Sequence, residues 1–480
     1  MTLRTKDPEL AHGAPVSDSA LATLKQTFRG QLIQPDDAGY DAARQVWNAM
    51  IDHRPVLVAR CLGVADVVST IGFAREHGLD LSVRGGGHSI VGHSMVDGSV
   101  VVDLSLMRGV RVDRRARRAR VQGGAWIADL DRETQHFGLA TTGGLVADTG
   151  IAGLTLGGGY GWLARRFGLA ADNVRGAEVV TADGSVRDVS ADEHPDLFWA
   201  LRGGGGNFGV ATELEFELHP FGPMVSSGDV YYQHDDGMAA LRAFRESLAD
   251  APDELYLMAF AHAADERTPV PEEHRGRPIV GLSWAWLGDE PRDGERVAQP
   301  LHGAGRPIAQ FINSMTYVAL QTGPERPAGP RTRAYWKASF LSDLSDDILE
   351  GFLGASLEAN RSGPRASGEI ISMGGAIGRV GEDDTAYSGR DALVDFLAVS
   401  GWTDPAEDAT RIAAARGYWE AVTARGSTGV YVNNLGSEGQ DRVVEAYGAA
   451  KYARLAEVKR RYDPDNVFHH NQNIAPAASD

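Results

Sequence analysis

The sequence predicts an α+β protein of two unlike parts. Three glycine clusters, Gly85-Gly86-Gly87, Gly157-Gly158-Gly159 and Gly203-Gly204-Gly205-Gly206, all fall in the first half of the chain, beside strand-like runs. Past His219-Pro220 the clusters vanish, and longer strands such as Leu255 to Phe260 and Ile279 to Trp286 alternate with helical patterns. At 480 residues the chain is also too long for a single hydrophobic core. These observations divide it into a lead-in over 1–50, a glycine-rich domain over 51–220, a second α+β domain over 221–440 and a closing segment over 441–480.

In order, Ser19 to Phe28 reads as a helix, and Pro55 to Cys61 as the first strong strand, with Cys61 in the core. Val64, Val67, Val68, Ile71 and Ala74 keep helical spacing until Gly78 stops them. The strand Leu79 to Val83 then runs into Arg84-Gly85-Gly86-Gly87-His88-Ser89. Val100 to Leu104 is apolar enough to be a fully covered strand, and Arg108 to Gln122 reads as a hairpin. Its arginines suit a solvated sheet edge, which like charges guard against stray pairing. Trp126 to Phe137 is a helix ended by Gly138, followed by the second glycine region from Gly143 to Gly161. A hairpin through Ala182-Asp183-Gly184, a short helix from Asp196 to Leu201 and a strand from Val210 to Leu218 complete the domain. In the second domain, Ile370 to Ile377 and Gly429 to Asn433 read as strands of one sheet. A helix from about Asp441 is halted at Asp463-Pro464, ahead of Asn471-Gln472-Asn473-Ile474.

A formal charge of -18 opposes binding to nucleic acid or an anionic membrane and favours a small-molecule partner. A chain this acidic binds phosphate best through oriented backbone N–H groups, which glycine loops expose. Three bare glycines ahead of His88 form such a concavity, with the imidazole at its rim as donor, base or covalent attachment point. The second loop lacks the Lys-Ser/Thr ending of a P-loop. A single cysteine allows no intrachain disulfide and no multi-thiolate metal centre, and no metal is expected. Met1 to Val16 holds no apolar leader and no apolar run of membrane-spanning length occurs, so the cytoplasm is the expected location.

Taken together, the strand-borne Gly85-Gly86-Gly87-His88, the three glycine loops, Tyr431-Val432-Asn433 and Tyr462-Asp463-Pro464-Asp465-Asn466-Val467-Phe468 through Asn473-Ile474 resemble the berberine-bridge-enzyme-like flavin oxidases, within the vanillyl-alcohol-oxidase type. The resemblance implies a two-part PCMH-type FAD-binding domain and a substrate domain with an antiparallel sheet flanked by helices. It places a covalent flavin bond on His88, with His93 a weaker alternative. It assigns cofactor contacts to Arg84, Gly85, Gly86, Gly87, Ser89, Gly150, Gly153, Gly158, Gly161, Gly209, Val210, Asn471 and Asn473. Val146 stands where doubly linked members carry cysteine, so one link is expected. Tyr431 takes the family's place for the base, Asn433 for its orienting partner, and Tyr387 for a contact from the substrate domain. The implied activity is an oxidase moving hydride from a small-molecule alcohol carbon to FAD and on to O2, with amine oxidation, a dehydrogenase or oxygenase, and a non-catalytic flavin carrier as alternatives.

Overall fold

In the computed structural model, which describes residues 16–323, 331–363 and 365–478, the strand Leu81–Arg84 belongs to a four-stranded sheet. It pairs in parallel with Val100–Asp103, which pairs in parallel with Leu57–Arg60, and Gln31–Ile33 closes the edge antiparallel. Val100, Val101 and Val102 are fully buried because both faces are covered. Val67 and Ile71 of the helix Val64–Glu76 share a cluster with Val100 and Val102, while Ala43, Val46 and Met95 cover Val101 from the other side. Cys61 is buried in the same core, where desolvation pushes its thiol up to about 12, which suits an inert packing residue.

The second sheet is antiparallel, in the order Val110–Asp113, Arg118–Gln122, Val210–Glu217, Val174–Val180, Val186–Ser190. The arginine-rich hairpin does supply an edge strand. Its inner strand faces acids, with the Arg120 guanidinium 3.0 Å from Glu215. The third sheet is built from seven antiparallel strands between Met224 and Trp402. Leu257, Ala259, Ile370 and Phe396 point from one face into the helices Gly237–Ala249, Asp346–Ala359 and Asp408–Thr423. Tyr256, Ile371 and Leu397 point the other way, into the cluster shared with the glycine-rich domain. Among the described residues no helix is long and apolar enough to cross a membrane.

Three expectations need correction. The run Ile370 to Ile377 leaves the sheet at Ser372, because Gly374 and Gly375 take φ of 76° and 57° and begin a 3-10 turn. Gly429 to Asn433 is not a strand: Gly429 makes one isolated bridge to Phe340, after which Val432–Asn434 curls into a 3-10 turn. The tail helix is two helices, Gln440–Tyr447 and Ala449–Tyr462, separated by Gly448 at φ 73°. The tail is fastened by Lys459, whose buried ammonium lies 2.6 Å from Asp463 Oδ2, 2.7 Å from Asn207 O and 2.9 Å from Phe468 O. Three partners satisfy its three donors, so a buried charge is tolerated there. The Pro324–Pro330 run and residues 1–15 of the N-terminal stretch lie outside the described residues.

Candidate functional site

A cavity of about 450 Å³ runs between the glycine-rich domain, the tail and the inner face of the large sheet. That is ample for a cofactor-sized ligand. Its floor is made where two glycine loops touch backbone to backbone. A Cβ on Gly86 would stand 2.3 Å from Gly150 N, and one on Gly150 would stand 2.3 Å from Gly86 N. Only glycine at both positions lets the loops close, and the lining continues through Gly85, Gly87, Ser89 and Gly153 to Gly209 and Val210. His88 is among the lining residues. Its ring stacks on Trp47 at 5.8 Å and 23°, with Nε2 3.5 Å from Asp148 Oδ1 and Nδ1 3.5 Å from Thr149 Oγ1.

At the wall opposite the loops the 3-10 turn delivers Tyr431 and Asn433. The Tyr431 hydroxyl oxygen accepts from Gly159 N at 2.8 Å and from Asn433 Nδ2 at 2.7 Å, and Asn433 also donates to Leu154 O at 3.0 Å. Burial pushes the phenol well above its ordinary value, and the two N–H donors pull it back part of the way. Beside it lies a group that sequence reasoning missed. Tyr160, whose ring centroid is 5.1 Å from that of Tyr431, donates to Asp395 Oδ2 at 2.8 Å, and Asn434 Nδ2 donates to the same oxygen at 2.8 Å. Asp395 is fully buried on the large sheet, and desolvation pushes its carboxyl up to about 7 against the pull of those two hydrogen bonds. The one available signal was a lone acid in the apolar run Val394-Asp395-Phe396. Glu369 shares that sheet face, being paired in register with Leu397, two residues along from Asp395. It makes no hydrogen bond or ion pair among the described residues, and burial pushes it up to about 7.

Several expected contacts stand off the cavity lining. Arg84 turns its guanidinium to Ala43 O at 2.5 Å and toward Asp103, so only its backbone serves the loop. Gly158 and Gly161 are supports: a Cβ on Gly158 would strike the Tyr387 ring, and one on Gly161 the backbone of Gly144. Tyr387 packs under the site, 6.0 Å from the Tyr431 ring, with its hydroxyl buried and unpartnered among the described residues. Asn473 gives its carbonyl to Gln440, whereas Asn471 does line the cavity. Val146 also lines it, presenting an alkyl side chain and no thiol. Trp162 packs on Tyr256 at 4.7 Å, and Trp199 and Phe208 are core.

The residues present fit FAD. A cavity with a glycine floor accepts a pyrophosphate against bare backbone, and six buried polar atoms on its lining residues, His93 Nε2, Ser94 Oγ, Trp336 Nε1, the Tyr447 hydroxyl, His470 Nε2 and Asn471 Oδ1, lack partners among the described residues. Such atoms are costly unless a polar ligand meets them. Desolvation holds His93 down to about 4, so it would meet that ligand as a neutral imidazole. A glycine-floored cavity closed by a large antiparallel sheet and a returning tail defines an FAD-binding oxidoreductase.

The comparisons with known proteins give the family. The profile described as FAD binding domain matches residues 55–190, and the one described as berberine and berberine like matches residues 430–475. The (R)-6-hydroxynicotine oxidase of Paenarthrobacter nicotinovorans is 34% identical over 477 residues, covering 96% of this chain and 100% of that one. A chitooligosaccharide oxidase of Gibberella zeae is 28% identical over 502 residues, covering 97% and 98%. The crystal structure of 6-hydroxy-D-nicotine oxidase from Arthrobacter nicotinovorans superposes with a TM-score of 0.83 at 32% identity, covering 94% of this chain and 98% of that one. The chain belongs to the berberine-bridge-enzyme-like family of FAD-dependent oxidases.

Proposed function

We propose that this chain oxidises an alcohol carbon on a small molecule, a sugar or a cyclic natural product, with molecular oxygen as the final acceptor and peroxide as product. The observation that carries this reading is the Tyr431 hydroxyl, fixed by two N–H donors on a residue that lines the cavity. When bound, FAD accepts hydride from a substrate carbon and passes two electrons on. The alcohol's own proton must leave in the same oxidation, and Tyr431 is the group assigned to take it. Gly159 N–H and Asn433 Nδ2–H favour the phenolate form of that oxygen, the form able to take the proton and become the neutral phenol, and so offset part of the cost of burial. Asn433 is itself held by Leu154 O, so the donor does not drift.

The loops Gly85 to Ser89 and Gly150 to Gly153 are assigned to the pyrophosphate, and His88 to a single covalent bond with the flavin ring. Val146 at the place of the second linking residue supports one bond only. A second reading, amine oxidation, is favoured by Glu369, a carboxyl group with no hydrogen bond or ion pair among the described residues, on the sheet face that turns toward the glycine-rich domain. A cationic amine would satisfy it, and the 34% identity to a hydroxynicotine oxidase points the same way. Anaerobic addition of paired alcohols and amines while following flavin bleaching decides between the readings. Bleaching by amines alone overturns the alcohol assignment, and bleaching without peroxide on readmitting air overturns oxygen as acceptor.

A further inference from the structure

We propose that Asp80, His469 and His470 form a binding site for a divalent transition metal of the zinc class. These are brought together from opposite ends of the chain: Asp80 immediately precedes the strand Leu81–Arg84, and the two histidines follow Phe468 in the returning tail. One donor atom from each residue lies within 4.8 Å of the others. Individually, His470 Nε2 is 3.6 Å from Asp80 Oδ2 and His469 Nε2 is 4.0 Å from Asp80 Oδ1. Ligands at zinc bond lengths on a tetrahedral centre stand about 3.3 Å apart, so small side-chain rotations close the site.

Two details distinguish this cluster from a chance meeting of charges. The His469 Nδ1 donates to Asn466 O at 2.9 Å, a carbonyl that can only accept, and this fixes the ring with Nε2 directed toward Asp80. A metal-ligating histidine is oriented in just this way by a backbone acceptor behind it. His470 Nε2 is buried and has no hydrogen-bond partner among the described residues, although it faces the carboxylate. The two imidazole ring centroids are 4.1 Å apart, so both rings reach the one carboxylate from the same side. Two histidines and one carboxylate leave a fourth position for water.

The site would staple the tail to the first sheet. His470 itself, with Asn471 and Gln472 after it, lines the cofactor cavity, so metal occupancy should be linked to how firmly that wall is held. The test uses the flavin-loaded full chain, stripped with a chelator and titrated with Zn²⁺ against a chromophoric competitor, then with Co²⁺, whose tetrahedral d–d bands lie to the red of flavin absorption. One equivalent bound at micromolar metal, with such bands and a raised thermal midpoint, is expected. His469→Ala and, separately, Asp80→Asn should each weaken binding at least tenfold; His469 is partly exposed, so that variant should fold. No binding by the wild-type chain at micromolar metal overturns the proposal and leaves an ion-pair cluster. Undiminished binding in both variants overturns it too, by placing the metal elsewhere.

Discussion

Replacing Gly86 with alanine tests the idea that the cofactor cradle exists only because two backbones touch. The added Cβ would lie 2.3 Å from Gly150 N and 2.6 Å from Gly150 Cα, with no rotatable side chain to move aside. Ordinary carbon contacts begin near 3.5 Å, so the two loops must part by about 1 Å. Overpacking of this kind costs about 1–3 kcal/mol, and a backbone-to-backbone clash belongs at the upper end. Gly150→Ala meets the reciprocal obstruction, with Gly86 N at 2.3 Å. Each single variant should lower the thermal midpoint and purify with less flavin per chain. Because one separation of the loops makes room for both methyl groups, the double variant should cost less than the sum of the singles by about 0.5–3 kcal/mol. Gly72→Ala is the control: its Cβ meets nothing within 4 Å in the helix Val64–Glu76, and it should be neutral or stabilising. Single variants within about 0.5 kcal/mol of wild type and fully loaded with flavin would refute the reasoning.

His88→Ala should release its flavin on acid denaturation while the wild type keeps it, and a digest of the wild type should carry flavin on the His88 peptide and none on the Cys61 peptide. Tyr431→Phe retains the ring and loses the oxygen, so stopped-flow flavin reduction should slow by about a hundred to ten thousand fold. Since burial raises that phenol, the wild-type rate should still be climbing near about pH 10, the ordinary phenol value, and the variant's should be flat. Asp395 is raised from 3.8 to about 7, so its protonated form is favoured by folding; the stability it lends is whole below its unfolded value and is lost as pH rises through about 7. Asp395→Asn should therefore narrow the fall in thermal midpoint between about pH 5 and pH 8, and an unchanged fall would show that Asp395 is not its source.

Local signals in the sequence located the glycine loops and singled out Tyr431, and failed where the cause was remote. Three glycines ahead of His88 declare a close approach, but nothing beside Gly86 says that Gly150 is what approaches. The turn bearing Tyr431 reads as a strand because Val430, Tyr431 and Val432 have strand composition. In the fold only Gly429 bridges Phe340 before the chain curls toward Gly159. Gly448 was passed over within a continuous helical pattern, although its φ of 73° is one that glycine adopts without strain. Asp395 had no local partner to announce it, since Tyr160 lies 235 residues away in sequence and Asn434 lies 39 away. The order of the large sheet places Arg333–Leu341 outermost beside Val394–Trp402, a register set by packing across the whole domain.

The arrangement of donors around Tyr431 separates what the family's chemistry requires from what substrate choice can vary. One N–H on its oxygen comes from Gly159, in the glycine loop that also closes the cavity, and the other from Asn433, two residues along its own turn. Neither comes from the seven-stranded sheet. That sheet instead contributes Asp395, one residue removed from Tyr431 through Tyr160, together with Trp336 on the cavity wall and Glu369 farther along the same face. Changes on the sheet can therefore alter charge and shape on that face without disturbing the two donors that hold the Tyr431 hydroxyl. A carboxylate at Glu369 and another at Asp395, both raised toward neutrality by burial, make the electrostatics of that face depend on what enters it. A cation close to that face would favour the charged form of both carboxyl groups, which is the arrangement the amine reading calls for.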